Sequence, residues 1–286
     1  MNQKAFAIFV GAIMVFSAFA GMVMLGGDQS QRPIPVGSDS LDTFGVQGRL
    51  VEWNFDGLED TLEMAPESTV AAYWMNMSAS QNLTDAARAS LPPSLGLSYG
   101  DNLYQAKIEK HAAAYFNDTW TEFHWVRPFR VAYEGLVIPY EGFMMIPSST
   151  EYSAVMGKPI LFGPQKGLED VLDVIAGGLP TDKFTLPMGE TADLQLATLG
   201  KGAAGAGAAV DAAGGYQEFY LGVSNAGDGY SLVARYLQPD ASTQEKAKEI
   251  ADQYGLSVST QGTLTEVLGT VTADKLQGVL TAFLQP

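Results

Sequence analysis

The sequence predicts an α+β protein: an N-terminal transmembrane helix, then an extracytoplasmic body of mixed or antiparallel sheets with helices on one face, in ferredoxin-like β-α-β units. Three observations predict it. An uncharged apolar run opens the chain. Strand-like and helix-like patterns then alternate, each bounded by Gly, Pro or Asp. Residues 217–284 hold a glycine hairpin, a capped helix, two further strands and a closing helix.

After Met1-Asn2-Gln3-Lys4, residues 5–27 (AFAIFVGAIMVFSAFAGMVMLGG) carry no charge. As a helix they would be roughly 35 Å long, against a hydrocarbon core of ~30 Å. Lys4 precedes the run and Asp28 follows it, so the positive-inside rule leaves the N-terminus cytoplasmic and the bulk of the chain outside. A signal peptide cut after Ala18-Phe19-Ala20, giving a secreted protein, or a pilin-like leader cut near Lys4 would export the same body. Met22, Val23, Met24 and Leu25 extend the run past the first of these cuts, which favours a retained anchor. Residues 28–44, small, polar and with two prolines, read as a tether. The expected division is anchor 1–27, tether 28–44, a first α+β lobe 45–150 and a second, ferredoxin-like lobe 151–286.

In the first lobe, residues 47–55 and 69–75 read as strands around a helix over 57–64 that Pro66 ends. Residues 159–162, 167–176 and 183–186 repeat strand, helix, strand. Both helix starts read Gly-Leu-Glu-Asp, at 57–60 and 167–170, which raises a duplication. Gly followed by acids also suits any helix start, where the dipole favours negative charge. Between these units, 101–116 reads as a helix with Leu103, Ala106, Ala113 and Phe116, and 119–125 and 129–147 as strands interrupted at Pro128 and Pro139. The stretch 194–199 is a further strand.

Residues 217–224 and 230–237 flank Asn225-Ala226-Gly227-Asp228-Gly229 and so form a hairpin. Residues 243–254 make the best helix, with Ser242 and Glu245 as a capping box and Gly255 as the stop. Strands 256–260 and 264–271 follow, then a helix over 273–284 with Leu276, Val279, Leu280 and Phe283 on one face. This order lacks the last strand of a ferredoxin-type sandwich. Residues 217–224 are expected to fill its place.

Composition excludes several classes. The chain has 286 residues, 47% hydrophobic and 10% aromatic, so it buries a core and is not disordered. It has no cysteine, hence no disulfide, thiol nucleophile or iron–sulfur cluster. With 32 acids against 16 Lys and Arg, a net charge of -16, it is not a nucleic-acid binder and the exported body is repelled by anionic lipid. Sequons at Asn76, Asn82 and Asn117 suit an exposed, glycosylated face outside the cell.

Gly96-Leu97-Ser98-Tyr99-Gly100 matches G-x-S-x-G and locally resembles the nucleophile elbow of α/β-hydrolases, which would make Ser98 the nucleophile. The resemblance spans five residues. Pro92 and Pro93 break the strand the elbow needs, and His111 and His124 follow Ser98 too closely for the family's Ser, acid, His order. Residues 200–205 fit G-x-G-x-x-G, but the acid expected on the next strand is lacking, since Glu218 stands at a strand start. That Ala/Gly segment, 200–215, reads instead as a partner contact, with Gly202, Gly205 and Gly207 allowing close backbone approach.

The histidines are expected to be one solvent-facing and one partly buried. His111 is placed on a helix, and His124 on a strand whose face it shares with Glu122. Two ligands do not make a metal site. Glu59 with Asp60, and Glu169 with Asp170, are explained by their places at helix starts, and the aromatics Trp120, Phe123, Trp125, Phe129 and Tyr133 by core packing.

No complete catalytic, cofactor or metal constellation emerges. The expectation is a non-enzymatic, membrane-anchored extracytoplasmic protein acting by protein–protein contacts: a cell-surface structural, assembly or accessory subunit, bound to the membrane through one helix and to a protein partner or second copy. The alternatives are a surface serine hydrolase using Ser98 and a solute-binding or sensory ectodomain.

Overall fold

The computed structural model describes residues 49–99, 104, 106–116, 118–129, 137–188, 192–200 and 215–284. The N-terminal run, the tether, Asn117, Gly202, Gly205 and Gly207 lie outside these residues. Among the described residues no helix is long and apolar enough to cross a membrane.

The chain is mixed α+β, organised around a large antiparallel sheet. Its centre is made by strands that are apolar on both faces. In β2 (Thr69–Asn76), Tyr73 and Met75 enter one hydrophobic cluster while Ala72 and Trp74 enter another. The same alternation splits Ala113 from Ala112 and Ala114 in β3 (Lys107–Phe116), and Leu196 from Ala197 in β10 (Leu194–Leu199). Around them lie β4 (Thr119–Arg127), β5 (Ile138–Tyr140), β6 (Phe143–Pro147), β7 (Ser153–Val155), β9 (Ile160–Gly163), β11 (Glu218–Asn225), β12 (Tyr230–Leu237), β13 (Ser257–Gln261) and β14 (Leu264–Val271). The twelve strands run in the order β13-β14-β12-β11-β10-β2-β3-β4-β9-β7-β6-β5. Each neighbouring pair is antiparallel. A separate parallel pair joins β1 (Val51–Glu52) to β8 (Gly157–Lys158).

A doubly apolar sheet needs cover on both faces, so helices on one face only is corrected. On one side α2 (Gln81–Ser90), α5 (Ala241–Tyr254) and α6 (Ala273–Leu284) contribute Leu83, Ile250 and Leu280 to one cluster. On the other, α1 (Leu58–Glu63) and α4 (Gln165–Ile175) contribute Leu58, Leu62, Leu168 and Leu172. A short helix, α3 (Leu95–Tyr99), lies against β3 and β4.

Three further expectations change. The stretch read as a helix over 101–116 is strand β3 from Lys107. Its Ala, Lys and Glu favour helix in isolation, but small side chains on both faces fit a covered central strand. The two β-α-β units are not parallel crossovers: β1 and β2 belong to different sheets, and 183–186 is not a strand. Finally, the boundary at residue 150 cuts through one sheet, because β2 lies between β3 and β10 and β4 pairs with β9. Helix α2 packs on α6 across the same boundary, with Ser90 Oγ 3.2 Å from Thr281 Oγ1.

The C-terminal elements match the sequence closely. Helix α6 spans Ala273–Leu284 and buries Leu276, Val279, Leu280 and Phe283. Helix α5 ends at Gly255, whose φ of 72° is the left-handed conformation that favours glycine. Its N-cap is Asp240 rather than Ser242: the carboxylate accepts the Thr243 N–H at 2.8 Å.

Candidate functional site

The β3–β4 hairpin pairs Phe116 with Thr119, and that register sets His111 opposite His124 and Ala113 opposite Glu122. Side chains two apart on a strand share a face, so His111, Glu122 and His124 all point to the same side of the sheet. All three are buried, the histidines at 0% exposure and Glu122 at 1%. The expectation of one solvent-facing and one partly buried histidine is thereby overturned. The helix that would have carried His111 is a strand.

Helix α3 closes over this cluster. Ser94 Oγ accepts the Leu97 N–H at 3.1 Å, and Ser94 C=O accepts that of Ser98 at 3.0 Å, which turns the chain just after Pro92-Pro93. The free N–H groups of Leu95 and Gly96 then point down at the sheet. Glu122 Oε1 accepts the first at 2.7 Å and Oε2 the second at 2.7 Å. Oε2 also lies 2.9 Å from His124 Nε2 and 3.2 Å from His111 Nε2. The imidazole rings stack with centroids 5.0 Å apart and planes inclined by 23°.

These contacts assign protons. An ionised carboxylate only accepts, so both Nε2 atoms carry hydrogen. Burial lowers the His124 pKa, so the ring is neutral and its bare Nδ1 accepts the Tyr104 O–H at 2.7 Å. Burial pushes Glu122 upward, but the hydrogen bonds from His111 and then His124 outweigh it and hold the carboxyl well below the ordinary range. Tyr104 is pushed well above its ordinary value by burial and then by the Glu122 charge. Within the cluster, His111 Nδ1 has no hydrogen-bond partner among the described residues, and the Tyr73 ring stands 5.5 Å from that of His111.

Gly96 is required here by space. A Cβ on it would meet His111 Cδ2 at 2.3 Å and the Nε2 atoms of both histidines at 2.6 Å. The first glycine of the G-x-S-x-G match therefore serves the histidine pair and not a nucleophile elbow. Ser98 is exposed on α3, while both histidines direct Nε2 to Glu122. Ser94 does approach a histidine, with Oγ 3.5 Å from the same His111 Nε2 that faces Glu122. A catalytic triad needs its acid and its nucleophile on opposite ring nitrogens, so this is not one.

Other sequence candidates fall apart from the cluster. Asn76 gives its Nδ2 to Asp193 Oδ1 at 3.1 Å and takes the Ser78 N–H on Oδ1 at 3.1 Å, whereas Asn82 is exposed in the first turn of α2. Glu169 and Asp170 are occupied within α4 by Gln165 and Lys166. Glu218 does stand at the start of β11, where its buried carboxylate accepts the N–H groups of Thr185 and Leu186. Phe123 is fully buried, as expected of a core aromatic.

Sequence reasoning paired Glu122 with His124 by period two but missed His111. The signal was present: once Phe116 pairs with Thr119, 111 falls opposite 124.

No known protein-family profile matches the sequence, and no curated protein is significantly similar to it. Solved structures of TP0453 resemble the chain. Crystal form III has a TM-score of 0.48 at 11% identity over 77% of this chain and 97% of that one. For crystal form I the values are 0.47, 10%, 79% and 98%.

Proposed function

We propose that the protein is a membrane-anchored extracytoplasmic subunit that acts by protein–protein contacts, with residues 1–27 as a single span and the N-terminus in the cytoplasm. The observation that carries this reading is the 23-residue uncharged run, residues 5–27, flanked by Lys4 and Asp28 and followed by an acidic body. The non-enzymatic part is supported by the site: the acid and base groups that converge at Glu122 are sealed from solvent, which leaves a substrate no access. A Ser98 hydrolase gains no support, since no histidine is directed to that hydroxyl.

Residues 218–284, in this proposal, form a permuted ferredoxin-like sandwich. The order β13-β14-β12-β11, with β11 in the place of the final strand, supports it. The partner surface is assigned to the Ala/Gly segment 200–215, including Gly202, Gly205 and Gly207. Its two ends are pinned to the sheet region: Gly200 N–H to Gln217 C=O at 2.9 Å, and Asp240 N–H to Gly215 C=O at 2.6 Å.

Mild detergent extraction from native membranes, affinity capture and intact mass spectrometry test the reading. A stoichiometric partner together with a mass that includes residues 1–27 is expected. A solitary protein lacking the first 20 residues would refute it. Deleting 201–214 while the fold persists is expected to weaken capture of the partner; undiminished capture would remove that segment from the interface.

A further inference from the structure

We propose that His111, Glu122 and His124 form a buried structural site for a divalent transition metal of the zinc class, filled as the chain folds. One ligand atom from each of the three lies within 4.8 Å of the others. Two imidazole nitrogens with one carboxylate oxygen suit zinc, cobalt or nickel, and are a poor set for calcium or magnesium, which take oxygen ligands.

Three features of the surroundings fit an ion there. First, both Nε2 atoms aim at one oxygen, Glu122 Oε2, so the three donors converge from two strands. Second, Gly96 carries no side chain: a Cβ there would meet His111 Cδ2 at 2.3 Å and both Nε2 atoms at 2.6 Å, so only glycine leaves the two nitrogens uncrowded. Third, the buried Ser94 Oγ stands 3.5 Å from His111 Nε2. That hydroxyl is the candidate fourth donor for a tetrahedral ion.

The supporting hydrogen bonds are also in place. Leu95 and Gly96 N–H groups orient the carboxylate, and Tyr104 Oη contacts His124 Nδ1. Such outer contacts fix ring orientation and raise ligand basicity. Without metal, each Nε2–H donates to Glu122. With metal, each proton moves to Nδ1 and the Nε2 lone pair binds the ion. Tyr104 Oη then accepts from His124, whereas His111 Nδ1 has no partner among the described residues in either tautomer. Because all three side chains are at most 1% exposed, the ion has no open face toward solvent. It serves the fold, and its binding free energy is folding free energy.

The test uses the full chain in detergent, unfolded in guanidinium with EDTA and refolded with Zn²⁺, with Co²⁺ or with EDTA alone. After gel filtration, one metal per chain by elemental mass spectrometry, a visible Co²⁺ spectrum of nitrogen-ligated tetrahedral type and a higher melting temperature are expected. Tyr104→Phe should weaken metal binding by about 10–100-fold while leaving the fold intact. The proposal is overturned if refolded protein with native circular dichroism holds no stoichiometric metal. It is equally overturned if a folded His111→Ala/His124→Ala variant keeps the same metal content, since the ion then sits elsewhere on the acidic chain. Should that variant not fold, the wild-type Co²⁺ spectrum decides alone, an all-oxygen octahedral spectrum being the adverse result.

Discussion

His111 and His124 face each other across β3 and β4 as direct register partners, and both present Nε2 to the same oxygen of Glu122. That relationship ties α3 to the sheet: the carboxylate that receives the two imidazoles also receives the first two N–H groups of the helix. Four donors on one buried anion make it a structural centre whose removal has defined consequences.

Glu122→Gln keeps the shape but replaces one acceptor oxygen with an NH₂ group, which must then face an N–H donor. In EDTA, where metal plays no part, this should destabilise the protein by on the order of 3 kcal/mol, as expected when buried donors lose their acceptor. Urea denaturation followed by circular dichroism reads the change. An unaltered midpoint would mean that the carboxylate is not what holds α3.

Gly96→Ala places a methyl group 2.6 Å from two ring nitrogens that packing and hydrogen bonds hold still. The expected loss is about 1–3 kcal/mol, as for other overpacked sites. Two residues along the same helix, Ser98→Ala changes only an exposed side chain and should fall within about 0.5 kcal/mol of wild type. Equal effects at the two positions would contradict the packing described.

Acid sensitivity is expected at the start of α5. The Thr243 N–H, with the Ser242 hydroxyl, lowers the Asp240 pKa in the fold. On acidification the unfolded chain therefore takes up the proton first. The stabilisation is complete above the ordinary Asp pKa of about 4 and is lost as pH falls through the lowered folded value. Comparing melting temperatures of wild type and Asp240→Asn between neutral and acid pH checks the sign: the gap should shrink as pH drops. A gap that widens would be incompatible with this cap.

Glycopeptide mapping of the native protein separates two of the sequons. Asn82 projects from α2 into solvent, while the Asn76 amide is engaged by Asp193 and the Ser78 N–H. A glycan on Asn76 Nδ2 would break the contact with Asp193. Occupancy at Asn82 and none at Asn76 is expected; the reverse pattern would show that the Asn76 contacts do not protect it.

Much of the fold was readable because it is written in local period. Residues 230–237 alternate between buried and half-buried positions as strand β12, and the apolar face of 273–284 is the buried face of α6. Reading failed where propensity and context disagree. Lys107 to Phe116 is rich in helix formers, and only cover on both faces makes it β3. Helix α2 is hard to see in the sequence because its polar residues, Gln81, Asn82, Thr84 and Asp85, mask a face carried by Leu83, Ala86 and Ala87.

The sequence by itself determined the acidic, cysteine-free composition, the uncharged N-terminal run and the elements of residues 218–284, because charge, hydropathy and side-chain period are properties of neighbouring residues. Tertiary structure alone decided that β2 sits beside β10, with Met75 opposite Leu194, that helices cover both faces, and that His111 meets Glu122 and His124. Strand neighbours and burial depend on contacts between residues far apart in the chain, and one misread strand is enough to hide the site those contacts assemble.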